Sequence, residues 1–355
     1  MPYEFRPFED DRSKLMVGFA AFLLFLAGVT SANAREMASA PRRMAINVRA
    51  PFGGRNIRIE NGAVAVWRIR LADRSDEQLE IFDLTGANML ALRVLNGLPE
   101  ARELAIWDVS MAKDGQVAVA AVFADRDNRR AATLMLYSKQ GDLLRCYRLD
   151  EGAGIRHLEF DEDGNIWALG MGAGSRDPGL LPMVFKYSKD GKELGRYVPR
   201  SEFPDDAHTI EEGPTVGDSA FGLSLDGVWF WLPKSRKLAI MRRDGSGFEV
   251  LNPRLPVAPG SEGTTEATQT VLGKVSFLRP DMLVAEVHLV SETSRRVGIY
   301  RWQKATAEWA PILQGSTTSD ERKVLVGLDN NQAIFMYPKP ETLRAELEWV
   351  SLPTP

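Results

Sequence analysis

Four oxygen-bearing side chains, Asp161, Glu162, Asp163 and Asn165, crowd into DEDGNIWAL at 161–169. Such a set could ligate a hard cation, or it could bend the chain between two strands. A calcium loop of the helix–loop–helix kind needs oxygens at alternate places, Gly at the sixth and a distal bidentate Glu. Here Gly164 stands fourth, and the twelfth residue counted from Asp161 is Gly172. Equivalent segments elsewhere carry Lys-Asp-Gly, Leu-Asp-Gly or Asn-Asn, without a constant acid set. The expectation is therefore a turn. Other reactive residue types are sparse. His157, His208 and His288 are spaced unlike a His-x-x-x-His zinc pair, and His157 and His288 sit in runs that read as strands. Cys146 lies in the alternating run LLRCYRL and reads as a buried small hydrophobe, with no base beside it in sequence to activate it. No G-x-S-x-G nucleophile elbow occurs. GMGAGSRD at 170–177 is glycine-rich but leads into a strand, so it does not open a phosphate-binding helix.

The elements that carry these residues repeat. After residue 44, short alternating or apolar runs are split by Gly, Asp and Asn, the pattern of strands and hairpins. DEDGNIWAL has counterparts in IENGAVAVW at 59–67, AKDGQVAVAAV at 112–122, SLDGVWFWL at 224–232, RPDMLVAEV at 279–287 and LDNNQAIFM at 328–336. Their turns lie about 49 to 63 residues apart, close to the length of a propeller blade. A second hairpin follows the first in each early unit: LEIFDLTGANMLAL at 79–92, LMLYSKQGDLLRCYRL at 134–149, MVFKYSKDGKELGRYV at 183–198 and LAIMRRDGSGFEVL at 238–251. IYRWQKATAEWAPIL at 299–313 fills that slot without its Gly, and the sixth unit keeps only LEWVSL at 347–352. Asp-Gly and Asn-Gly suit tight hairpins because Gly accepts positive φ without a Cβ clash. Six units of four strands, a to d, predict an all-β fold, a six-bladed β-propeller over 35–355. In it, MAINVRA at 44–50 is expected to supply the missing strand of the last blade. The competing reading makes PETLRAELEWV at 340–350 a short helix, with Leu343, Leu347 and Val350 at helical spacing.

This architecture sorts the loops by face. The a–b and c–d turns are short and share one end of the propeller. The b–c and d–a connections are longer, varied, and share the other, where a rigid scaffold presents functional loops. The b–c loops offer Arg74, Arg126, Arg129, Arg130, Arg176, Arg236, Arg295 and Arg296 in five successive units. A guanidinium fork matches carboxylate or phosphate, so convergent arginines would draw an anionic ligand. The opposing reading is local pairing, since Asp73, Asp76, Asp125, Asp127, Asp177 and Glu292 are interleaved with them. The ligand-binding candidates are Arg74, Arg126, Arg129, Arg176, Asp177, Arg236, Arg295 and His208. His208 belongs to the long acidic d–a connection 201–218, expected to shape a pocket edge; 256–270, rich in Gly, Pro, Ser and Thr, reads as a mobile loop.

DEDGNIW and YSKDGKELGRY resemble the repeats of NHL-like and related six-bladed propellers, in which a DGN-type turn opens a strand and an aromatic-Ser-x-x-Gly-Lys hairpin follows. The likeness is clear over 104–198 and specifies turns rather than chemistry. It implies a scaffold shared by binding proteins, gluconolactonase-like hydrolases with a central metal, and metal-bearing lyases. A metal site of that kind would draw on Glu, Asn and Asp at the channel mouth, and Glu60, Asn128, Asn165 and Asp218 are residues of those types.

Composition narrows the class. With 44 basic and 48 acidic residues the net charge is −4, so no basic footprint for nucleic acid exists, nor an attraction to anionic membranes. Arg12 and Lys14, the apolar run 15–29 and Ala32/Ala34 form the three parts of a secretory signal over 1–34, with cleavage expected after Ala34. The twenty uncharged residues 15–34 would also suffice for an N-terminal anchor. A lone cysteine rules out an intrachain disulfide, so an exported fold must rest on its core. The favoured reading is an exported protein, periplasmic or secreted, that binds a protein, peptide or carbohydrate on its long-loop face without a cofactor. The alternative is a metal-dependent hydrolase or lyase, with Ca as the candidate ion, at the central channel.

Overall fold

In a computed structural model of the chain, the described residues run from 42 to 352. Excepted are 50–55, 69, 72–73, 75, 151–152, 173–176, 213–219, 225–226, 254–268, 280–281, 291–294, 305, 316–323, 330–331 and 340–342. Residues 1–34, expected to be a signal, together with Arg176, Asp218 and nearly all of 256–270, thus lie outside the described residues.

Blade 1 is the sheet β2 (Ile57–Glu60), β3 (Ala63–Trp67), β5 (Leu79–Asp83) and β6 (Asn88–Leu92), in that order. Blade 2 is β7 (Ala101–Met111), β8 (Val117–Asp125), β9 (Arg130–Tyr137) and β10 (Leu143–Arg148). A two-residue strand from the b–c loop of blade 1, β4 (Arg70–Leu71), adds to its free inner edge by pairing with Leu104 and Ala105. Blade 3 is β11 (Gly154–Phe160), β12 (Ile166–Met171), β13 (Pro182–Tyr187) and β14 (Glu193–Pro199). Blade 4 is β15 (Phe221–Leu223), β16 (Val228–Leu232), β17 (Lys237–Met241) and β18 (Phe248–Leu251). Blade 5 is β19 (Gln269–Arg279), β20 (Met282–Val290), β21 (Arg295–Gln303) and β22 (Glu308–Gly315). The last sheet holds β23 (Val324–Asp329), β24 (Gln332–Lys339) and β25 (Arg344–Ser351), and its outermost strand is β1 (Arg42–Asn47). Every neighbouring pair whose register is described is antiparallel. The segment 340–350 is thus mainly strand, because Leu347 and Trp349 alternate with Glu346 and Glu348 and bury on one face of the sheet.

The six inner strands β2, β7, β11, β15, β19 and β23 each touch the next, and β23 touches β2, so the ring of inner strands is closed. Burial follows from that. Six apolar clusters occur among the described residues, and each draws its strands from two adjacent blades. Trp67 and Ile81 of blade 1 meet Leu104 and Val119 of blade 2, for instance, while Met44 and Ile46 of β1 meet Trp349 of β25 and Val64 of blade 1. Strands sandwiched in this way bury both faces, which is why VWFWL at 228–232 is apolar throughout.

DEDGNIWAL forms a turn closed by its own first acid. Asp161 Oδ1 accepts the backbone N–H groups of Asp163 at 3.0 Å and Asn165 at 2.8 Å. Oδ2 accepts Asn165 Nδ2 and Trp167 Nε1, each at 3.2 Å. Gly164 sits at φ +79° and donates to the Asp161 carbonyl, closing a turn that only Gly adopts without strain. The same side-chain trick recurs at Asp83 and Asp125, whose carboxylates each accept two backbone N–H groups of their own turn.

Cys146 departs from expectation: it is exposed, not buried. β10 is the outermost strand of its sheet and is exposed over most of its length, with Tyr147 packed toward blade 3, so alternation there does not bury Cys146. The connection 201–218 also differs from a structureless loop. It contains the helix α1 (Pro204–Glu212), preceded by a 3-10 turn at Arg200–Glu202. Pro204 at the first helical position and Asp205 and Asp206 in the first turn suit a helix N-terminus.

Candidate functional site

The densest charged cluster among the described residues lies on the inner strands of blades 1 to 3. Arg58 extends from β2 and donates through Nε to Glu60 at 2.9 Å and through Nη1 to Asp108 of β7 at 3.2 Å. It also donates to the carbonyl of Leu158 at 2.7 Å, and through Nη2 to Glu159 of β11. His157 Nδ1 lies 3.9 Å from Asp108. These side chains are 10–29% exposed, with Asp108 the most hidden and His157 the least. Burial works against the Arg58 cation, but the carboxylates of Glu159, Glu60 and Asp108 outweigh it and hold its pKa above the ordinary value. Burial pushes the Glu159 carboxyl up to about 8, and Arg58 offsets only part of that rise. Glu60 is raised for the same reason.

Much of this cluster stitches strand edges together. An inner strand leaves its outer N–H groups without a ladder partner. Asp108 accepts from Leu158 N at 2.8 Å, Glu60 from Met111 N at 2.9 Å, and Ser110 Oγ from Phe160 N at 3.2 Å. Each bond runs from one blade to the next, between positions 50 or 51 residues apart. A divalent cation does not fit here: the guanidinium and backbone N–H groups engage the carboxylates, and no group of three or more His, Cys, Asp or Glu could hold a metal among the described residues. In the sequence Glu60 is only a residue of the type a channel-mouth metal would use and His157 reads as a strand histidine; nothing there singles out Arg58, Asp108 or Glu159. Their signal is positional, a charged residue in the first strand of a unit, a few residues before the a–b turn.

On the long-loop face the candidates divide. Arg74 is half-buried and occupied by its own chain, donating to the carbonyls of Leu95 at 2.7 Å, Leu98 at 2.9 Å, Pro99 at 3.1 Å and Ala101 at 2.5 Å. Asp177 Oδ1 accepts Gly179 N at 2.9 Å and caps the 3-10 turn Pro178–Leu180. Arg126, Arg129 and Arg130 are exposed on and beside the β8–β9 turn, where Asn128 takes φ +61°. Asp125 Oδ1 accepts the N–H groups of Asp127 and Arg129, and no ion pair joins Asp125 to the three arginines among the described residues. Arg236 is exposed at φ +57° in the β16–β17 turn. His208 is exposed on α1, whose buried neighbour Asp206 accepts Lys234 N at 2.7 Å and Ser235 N at 3.0 Å. That anchor places His208 and Arg236 on two docked elements. Arg295 begins β21 opposite Val290, and its side chain lies outside the described residues.

No protein-family model matches the sequence, and no curated protein does. Among solved structures, TolB from Acinetobacter baumannii is similar with a TM-score of 0.41 at 13% identity, over 82% of this chain and 64% of that one. An oligogalacturonate lyase in complex with manganese gives 0.43 at 10% identity, over 82% and 74%. The β-propeller domain of the trilobed protease from Pyrococcus furiosus gives 0.42 at 14%, over 85% and 94%. The chain spans less than two thirds of that TolB chain. Likenesses this distant carry no chemistry across, and the six-bladed architecture stands on this chain's own sheets.

Proposed function

We propose that this protein is an exported propeller that binds a protein or peptide through its long-loop face and does not turn it over. One observation carries the reading. Arg126, Arg129 and Arg130 are exposed around a short turn that also carries two acids, Asp125, whose Oδ1 accepts backbone N–H groups, and the exposed Asp127. Among the described residues none of the three has an ion partner, so their forks face solvent on a preorganised support. A ligand rich in carboxylates suits them. The channel offers less, since Arg58 and its acids are already engaged with one another and with backbone.

The test uses the mature chain recovered from the exported fraction, with an intact mass that begins at Arg35. It is titrated by fluorescence anisotropy with a labelled Glu-rich peptide at rising salt. Binding that weakens with salt is expected, with a loss of roughly tenfold or more in R126Q/R129Q/R130Q, equivalent to about 1.4 kcal/mol. Equal affinity in the triple variant would overturn the reading. A mass that retains residues 1–34 would overturn the cleavage.

A further inference from the structure

The charges on the inner strands do not balance. One guanidinium, Arg58, faces three carboxyl groups, those of Glu60 on its own strand, Asp108 on β7 and Glu159 on β11. His157, two residues before Glu159, faces Asp108 from the same strand as Glu159. With all three acids ionised, the group would hold an excess of two negative charges in a poorly hydrated place. Burial with a single cation to share favours the neutral form of a carboxyl, and it raises both Glu60 and Glu159. Hydrogen bonding decides where the proton resides. Glu60 accepts from Met111 N at 2.9 Å and from the Ser110 hydroxyl at 3.1 Å, besides Arg58. Asp108 accepts from Leu158 N at 2.8 Å and Val109 N at 2.9 Å, besides Arg58. Both sets of donors stabilise the anion. Glu159 has the Arg58 bond and no backbone donor among the described contacts.

We propose that the Arg58 cluster is a proton-held clasp, which joins the inner strands of blades 1, 2 and 3 while Glu159 carries a proton and loosens when that proton leaves. Burial acts in the same direction, lifting the Glu159 carboxyl to about 8. The sign follows. The folded state holds this proton more tightly than the unfolded chain does. The contribution is therefore complete below the ordinary carboxyl range and is lost as pH rises through about 8. A carboxylate paired in the usual way would behave oppositely, losing stability on acidification.

Thermal unfolding of the full chain between about pH 5 and about pH 9 tests the clasp. The expected result is a midpoint that falls as pH rises. Glu159→Gln keeps a neutral acceptor for Arg58 and should flatten that fall, whereas Glu162→Gln, whose acid pairs with Arg243 outside the cluster, should leave it unchanged. An equally steep fall in Glu159→Gln overturns the proposal. Should that variant fail to fold, carbon-13 NMR of glutamate-labelled wild-type chain decides: a glutamate carboxyl titrating above about pH 7 supports the clasp, and titration of every glutamate below about pH 6 overturns it.

Discussion

Arg74 and Arg126 carry the same side chain in b–c loops of adjacent blades and meet opposite fates. Arg74 turns inward and satisfies carbonyls at 95, 98, 99 and 101, on the path from blade 1 to blade 2. Arg126 stays exposed on its turn, where the backbone engages the Asp125 carboxylate. The residue type alone does not distinguish them. Arg74→Ala should cost roughly 2–4 kcal/mol in urea unfolding, since several half-buried carbonyls lose a charged donor at once. It should leave peptide affinity intact, which separates a structural arginine from a binding one. The inner cluster makes the same point: Glu60 was visible as a carboxylate, but its engagement by Met111 N and Ser110 depends on blade 2 lying beside it.

At the scale of elements, the c–d turn does two jobs. Its Gly takes positive φ, and it also lets the neighbouring blade approach. A Cβ added at Gly191, at φ +80°, would fall 1.8 Å from the Tyr147 ring of the preceding blade's outer strand. At Gly245 the neighbour is Tyr197, and at Gly86 it is the backbone of Ala45 in β1. Gly191→Ala should therefore destabilise by roughly 1–3 kcal/mol, combining overpacking with backbone strain. In a double-mutant cycle with Tyr147→Ala, the steric part of that cost should disappear and the φ part should remain. The turn chemistry of these glycines was legible in the sequence. Their second role was not, because nothing local in YSKDGK reveals a tyrosine 44 residues earlier. The helix α1 was missed for a related reason. Its polar sequence lacks a strong apolar stripe, and it is anchored by Asp206 on the 234–235 backbone and by Ala207 in the core between blades 3 and 4.

At the scale of the whole molecule, a ring of sheets is only as stable as its weakest junction. β1 lies outermost in the sheet of β23 to β25, with Met44, Ile46 and Val48 buried and Arg43 bonded to Glu348 at 2.9 Å. A chain starting at residue 49 should lose roughly 1.5–3 kcal/mol for each of those three side chains and expose the edge of β25. Circular dichroism should show a lower melting point, and size-exclusion chromatography should show self-association. An unchanged melt would mean that β1 contributes nothing to holding the ring. By itself the sequence determined the local and periodic features: six returns of the a–b turn, a second hairpin in the first five units, the turn at 161–165, most of the strands and the count of blades. Those features depend on φ preferences and on the alternation of neighbours along the chain. Only the tertiary structure decided which arginines remain free, that Cys146 is exposed, and that Arg58 meets acids from three blades. Those outcomes depend on which strands lie side by side in space. Residues 50 or 100 apart meet there because a propeller brings each blade's first strand to one axis, a relation that local sequence does not encode.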